Sequence, residues 1–317
     1  MRKFFFAILS VVLAAILVVP AGTANAAGGK TTYRDAHKAS RFQSATGVTT
    51  AGVRPLASWY SGSLAPGATQ GWVWNNANPL NSVYKVGLSP TGATTSTPCQ
   101  FAVTRSWYAQ LNTGERKFYF NIQNTGAIAC GATVLLSSLT ASTSWSSGGI
   151  NPGASQNWTW NNAKPLTASH LAGLSPSGAT STATCQFEVT RSWYSQQPGG
   201  ERRFHWTIKN VGTIACTATV LLASTTTTTS WSTGTLAVGA SGSWTWNNAN
   251  PLNLVYLPGL SPQGASGSTA CQLEVTSSSY RQVINSTGAA ERKFLLTVKN
   301  VGSLACSGTV LLAGVPA

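Results

Sequence analysis

Tryptophan spacing constrains this chain more than any other feature. Trp59, Trp145 and Trp231 stand 86 residues apart, and so do Trp72, Trp158 and Trp244, and Trp74, Trp160 and Trp246. Cys99, Cys185 and Cys271 keep the same step. Cys130 and Cys216 keep it too, but Cys306 follows 90 residues later. Solenoid repeats of about 20–45 residues must stack to bury their apolar faces, whereas a unit of this length can enclose a core of its own. The chain therefore divides into an N-terminal segment 1–26, an arm 27–57, and three copies spanning 58–140, 141–226 and 227–317.

Each copy reads as β-structure. Trp72-Val73-Trp74 alternates, and Asn75-Asn76-Ala77-Asn78-Pro79 stops the strand with turn formers. Gly87-Leu88-Ser89-Pro90 is read as a second turn cluster. Phe101 and Val103 share one strand face, and Phe118, Phe120 and Ile122 form the matching face of the next strand. No segment sustains a 3.6-residue period. Six or seven short strands per copy predict an all-β chain of three tandem antiparallel β-sandwich modules, immunoglobulin- or fibronectin-III-like. Copy three carries four extra residues between Tyr280 and Glu291, which fall at a predicted hairpin tip where lengthening a loop is cheap.

Repetition also removes most of the ambiguity in the cysteine pairing. Equivalent copies each close their own bridge, Cys99–Cys130, Cys185–Cys216 and Cys271–Cys306, giving one disulfide per copy. A loop of this size contributes roughly 3–4 kcal/mol in the chain-entropy account. Metal binding competes poorly, since there is no Cys-x-x-Cys spacing and the chain has only 3 His.

The N-terminus supports an oxidising destination. Arg2 and Lys3 precede the apolar stretch 4–19, interrupted only by Ser10, and Ala24-Asn25-Ala26 has small-x-small character. The stretch falls short of the ~20 residues a membrane span needs. We expect cleavage after Ala26, a secreted protein that can associate with the cell surface, and no transmembrane segment in the mature chain. The arm 27–57 has Lys30, Arg34, Lys38, Arg41 and Arg54 against Asp35. It reads as a flexible basic linker, or as an electrostatic attachment to anionic wall polymer.

A strand ending in Asn-Thr-Gly or Asn-Val-Gly, as at Asn124-Thr125-Gly126 and Asn210-Val211-Gly212, resembles fibronectin-III-like and bacterial immunoglobulin-like sandwiches, and more faintly carbohydrate-binding sandwiches. The resemblance implies a fold only. Such sandwiches host many functions, so it transfers no functional residue.

Composition narrows the chemistry. The 317 residues include 20 Lys+Arg but only 6 Asp+Glu, a net charge of +14, and charged residues make up 8% of the chain. Glu115, Glu201 and Glu291 each precede two basic residues and are read as surface salt bridges. Glu188 and Glu274 correspond, while copy one has Ala102 there. His170 and His205 stand where the other copies have Tyr84 and Tyr256, and Tyr119 and Leu295. No triad, phosphate loop or dinucleotide fingerprint is present. We expect no enzyme activity, no cofactor and no metal. Thinly spread basic residues on an exported chain argue against nucleic acid.

Aromatic residues are the remaining means of recognition. Trp72 and Trp74 read as core, with a sugar-stacking platform as the alternative. Arg105-Ser106-Trp107-Tyr108 recurs as Arg191-Ser192-Trp193-Tyr194, but copy three has Ser277-Ser278-Ser279-Tyr280. Since replacing a buried Trp by Ser leaves a costly cavity, Trp107 and Trp193 are placed near a sheet edge or hairpin tip. Arg105, Trp107, Tyr108, Arg191, Trp193, Tyr194 and Tyr280 are the candidate ligand-binding residues, through Arg–Trp stacking and charge. The expected function is non-catalytic, multivalent binding or adhesion at an extracellular glycan or cell-wall polymer. The alternatives are a structural spacer without soluble ligand, and a protein-binding inhibitor or assembly module.

Overall fold

The computed structural model describes residues 34–35, 53–77, 80–163, 168–249 and 253–317. The expected export segment and most of the arm lie outside them. The described residues form strands and turns with no helix. A two-residue strand, β1 (Arg34–Asp35), pairs in parallel with β3 (Thr69–Trp74). Copy one also supplies β2 (Val53–Tyr60), β4 (Ser82–Thr91), β5 (Cys99–Gln110), β6 (Arg116–Asn124) and β7 (Gly131–Thr140). Copy two supplies β8 (Thr143–Ser146), β9 (Ser155–Trp160), β10 (Ala168–Ser177), β11 (Cys185–Gln196), β12 (Arg202–Asn210) and β13 (Thr217–Thr226). Copy three supplies β14 (Thr229–Ser232), β15 (Ser241–Trp246), β16 (Leu254–Gln263), β17 (Cys271–Ile284), β18 (Ala290–Asn300) and β19 (Ser307–Pro316). The strand β2 opens at Val53, inside the stretch read as arm, with a bulge between Pro55 and Ala57.

Within each copy the strands sort into two layers, as in a β-sandwich. Three separate three-stranded antiparallel sheets have the orders β2-β7-β4, β8-β13-β10 and β14-β19-β16. The other strands, β3-β6-β5 and their equivalents, join one ten-stranded sheet. A disulfide staples the layers in every copy. Cys99 opens β5 in the large sheet, and Cys130 immediately precedes β7 in a small one. Cys185–Cys216 and Cys271–Cys306 repeat the staple, with Cα atoms 6.0 and 5.8 Å apart. Side chains between the layers form the core, including Tyr84, Val86 and Leu88 from one side and Phe101, Phe118, Phe120 and Ile122 from the other. Asn124 closes its strand by its side chain: Nδ2 donates to the Leu64 and Ile128 carbonyls, and Oδ1 accepts from Gly126 N–H. Asn210 and Asn300 make the same clamp. Burying an amide is tolerable when its donors and acceptor are met.

Gly87-Leu88-Ser89-Pro90 is not a turn. It lies inside β4, which is buried nearly throughout. Pro90 is accommodated because β4 is the edge of its three-stranded sheet, where a missing N–H breaks no ladder. Gly87 is there for close approach: a Cβ on it would lie 2.8 Å from Val255 Cγ2 of copy three. Gly173 meets Val83 at the same distance, and Gly259 meets Ser169 Oγ at 2.7 Å. The small sheets therefore press together across copies. Val83, Leu135, Leu139, Leu221, Val255, Leu257 and Val315 form a second core where they meet.

The insertion in copy three also lies elsewhere than expected. The hairpin turns are alike: Leu111 N–H donates to the Glu115 carbonyl, Gln197 to Glu201, and Asn285 to Ala289. What grows is the ladder, by the pairs Val283↔Glu291 and Ile284↔Ala290. Two residues added to each strand leave the side-chain alternation intact, so parity alone could not distinguish this from a longer loop.

Candidate functional site

The long strands β5, β11 and β17 bring the three copies together. Tyr108 pairs with Phe187, Tyr194 with Leu273 and Tyr280 with Phe101, so each strand joins the next and the third returns to the first. The result is a closed triangle of strands with approximate threefold symmetry. A glutamine ties each corner. Gln110 Oε1 accepts from Gly178 and Ala179 N–H at 2.9 and 3.1 Å. Gln196 Oε1 does the same with Gly264 and Ala265, and Gln282 Oε1 accepts from Ala93 at 3.0 Å.

A bulge between Val103 and Arg105, repeated at Val189/Arg191 and Val275/Ser277, sets the side-chain phase for the rest of each strand. Tyr108, Tyr194 and Tyr280 point into the core, where each hydroxyl accepts a backbone N–H, from Tyr84, His170 and Tyr256. Burial pushes all three phenols upward from their ordinary pKa. Each hydroxyl is thus engaged by the backbone, while Tyr194 and Tyr280 also line the axial cavity and Tyr108 an adjoining recess.

Arg105 and Trp107 lie on the opposite face. The guanidinium sits 4.8 Å over the Trp107 ring, and Trp107 stacks on Tyr119 with centroids 5.1 Å apart. Arg105 also reaches across to copy two, with Nη2 2.8 Å from Glu188 Oε2. The cluster recurs between copies two and three. Arg191 lies 4.6 Å over Trp193 and 2.7 Å from Glu274, and Trp193 stacks on His205. Trp107 is only 6% exposed, so it is not at a rim. Its ring is sandwiched between Arg105 and Tyr119 of its own copy, while the equivalent Trp193 is half-buried. Between copies three and one, the equivalent positions hold Ser277, Ser279 and Ala102. Here Arg281 Nε donates to Gln100 Oε1 at 2.8 Å, and Gln100 Nε2 donates to Ser279 Oγ.

Behind the triangle is a cavity of about 400 Å³ on the axis. Arg105, Glu188, Arg191, Glu274 and Ser277 line it from the triangle side, and Lys85, Leu171 and Leu257 from the small sheets. Thr104, Ser106 and their equivalents add hydroxyls. Burial lowers the Lys85 pKa. His170 lines the same space, and burial holds it down to about 4, so it is neutral near pH 7.

Glu115, Glu201 and Glu291 pair with Lys117, Arg203 and Lys293 on the surface. The hydrogen bond from Arg203 holds the Glu201 carboxyl below its usual range. Sequence reasoning also missed a Ser–His–Thr chain: His205 Nε2 lies 2.8 Å from Ser195 Oγ, and Nδ1 lies 2.9 Å from Thr159 Oγ1. Ser195 is 1% exposed, which closes it to a substrate carbonyl. Among the described residues no group of His, Cys, Asp and Glu could hold a metal, and no helix is long and apolar enough to cross a membrane. None of the 12 Trp is fully exposed. Compared with family models, curated proteins and solved structures, the chain matches none of them.

Proposed function

We propose that this is an exported, non-catalytic binding protein that contacts an extracellular or cell-wall polysaccharide through the axial face. In this reading each copy is one small sandwich of immunoglobulin or fibronectin-III type, and the three act as a single composite surface. The convergence of Arg105, Arg191, Glu188 and Glu274 on one cavity carries the proposal. Charged side chains and a rim of Ser and Thr hydroxyls suit a polyhydroxylated ligand. Three disulfides fit an oxidising compartment.

The test is retention on insoluble wall glycans, compared between the wild type and Arg105→Gln/Arg191→Gln. We expect the wild type to be retained and the folded double variant to lose at least tenfold in affinity. Equal retention, or no retention of the wild type by any glycan, would sink the proposal. The rival reading, a rigid structural element, is favoured by the tucked-in tryptophans. It predicts ordered self-assembly that rises with concentration, without glycan binding.

A further inference from the structure

We infer that the axial cavity binds a small oxyanion, the carboxylate or phosphate of an acidic saccharide, and that Lys85 recognises it. This rests on the axial cavity as the contact site, but it requires an anionic group and not a polymer.

Three observations lead there. The first is a break in symmetry. Lys85 lies on β4 in phase with Val83 and Gly87, on the face turned toward the axis. Its equivalents, Leu171 and Leu257, both pack with the axial apolar cluster. One copy thus presents an ammonium where the other two present hydrocarbon. The second is charge. Arg105 is matched by Glu188 and Arg191 by Glu274. The Lys85 side chain makes no hydrogen bond or ion pair among the described residues, and no other carboxylate lines the cavity. With His170 neutral, one positive charge is left without a counter-ion. The third is access. Lys85 is half-buried and lines both the axial cavity and an adjoining recess of about 200 Å³ between copies one and two.

An ammonium held away from bulk water is costly unless it is neutralised or paired. The lowered pKa of Lys85 reflects that cost, and an entering anion would relieve it by restoring the charged form. The Thr and Ser hydroxyls around it can hydrogen-bond the remaining oxygens of the ligand.

The experiment titrates glucuronate, glycerol phosphate and neutral glucose into the full chain by calorimetry, for the wild type and Lys85→Leu. Leucine is what both equivalent positions already carry, so this variant should fold, and an unchanged or raised Tm checks that it does. If it does not, protection of Lys85 from acetylation by each anion in the wild type replaces it. We expect at least one anion to bind, glucose at least tenfold more weakly, and Lys85→Leu to lose at least tenfold. Comparison of the two anions separates a uronate from a phosphate source. Equal binding by the variant, equal binding of glucose, or no anion binding to the wild type overturns the inference. If neutral polysaccharide is retained whether or not Lys85 is present, the inference falls and the glycan reading stands. If anions bind through Lys85 and no polymer is retained, the reverse holds.

Discussion

Two of the three contacts between copies are built one way, and the third another. Copies one and two, and copies two and three, meet through Arg–Trp–Glu clusters. Copies three and one meet through Arg281 and Gln100, with Ser277, Ser279 and Ala102 where the cluster would be. Along the chain, the missing Glu of copy one and the missing Arg and Trp of copy three are unrelated events. In space they are one contact. Removing a single member would strand a partly buried charge, whereas removing all of them leaves small side chains that are already satisfied. At the position a Trp would occupy, the Ser279 hydroxyl accepts from Gln100, which Arg281 holds in turn. Trp107 is buried although copy three has Ser279 in its place, so the rim placement does not hold for it, while Trp193 is half-buried.

The largest expected effect comes from making copy one resemble copy three. Trp107→Ser should cost about 3–4 kcal/mol in denaturant unfolding, while Ser279→Ala should stay within about 0.5 kcal/mol. Similar losses for both would mean that the two kinds of contact are equivalent.

Acid sharpens the comparison between copy two and its neighbours. Burial takes His170 from 6.5 to about 4, so the unfolded chain binds the proton first. The stabilisation is complete above pH 6.5 and drains away as pH falls toward 4, by roughly 3 kcal/mol. His170→Tyr, which restores the residue of the other copies, should remove about half of the acid slope in a series of melts. A comparable slope should persist from His205, also held near 4 by burial and then by Arg203, and should disappear only when both histidines are replaced.

Next is the axis itself. Gly173→Val places methyls against Val83 and should lower stability by about 2 kcal/mol. The same change at Gly149, where nothing lies within 4 Å of an added Cβ, should cost less. The smallest effect is a gain. Ala102→Glu with Ser277→Arg would rebuild the third ion pair, and a double-mutant cycle should show about 0.5–1 kcal/mol of coupling. Zero coupling would indicate that Arg281 and Gln100 have repacked the contact beyond repair.

Much of each copy was legible from local pattern. Period-2 alternation in 118–122 located a strand, and Asn-Asn-Ala after Trp74 located its end. The recurring cysteines pointed to their own partners, because a repeated unit meets the same geometry each time. Local pattern misled where composition and environment part company. Gly, Ser and Pro in β4 have the look of a turn, yet the strand needs Gly for contact with another copy and tolerates Pro at an edge. Lys85 gave no signal at all, since a single Lys among Val, Tyr and Gly looks like an ordinary surface residue.

The sequence by itself determined the number of copies, their β character and their internal bridges, because these depend on patterns within a few dozen residues. Tertiary structure alone decided that the copies close on one another. Pairing β17 with β5 joins strands more than 170 residues apart, and nothing local announces it. That closure turns scattered Arg, Glu and Lys residues into one axial cavity. It happens because the small sheets have apolar second faces that can be covered only by each other.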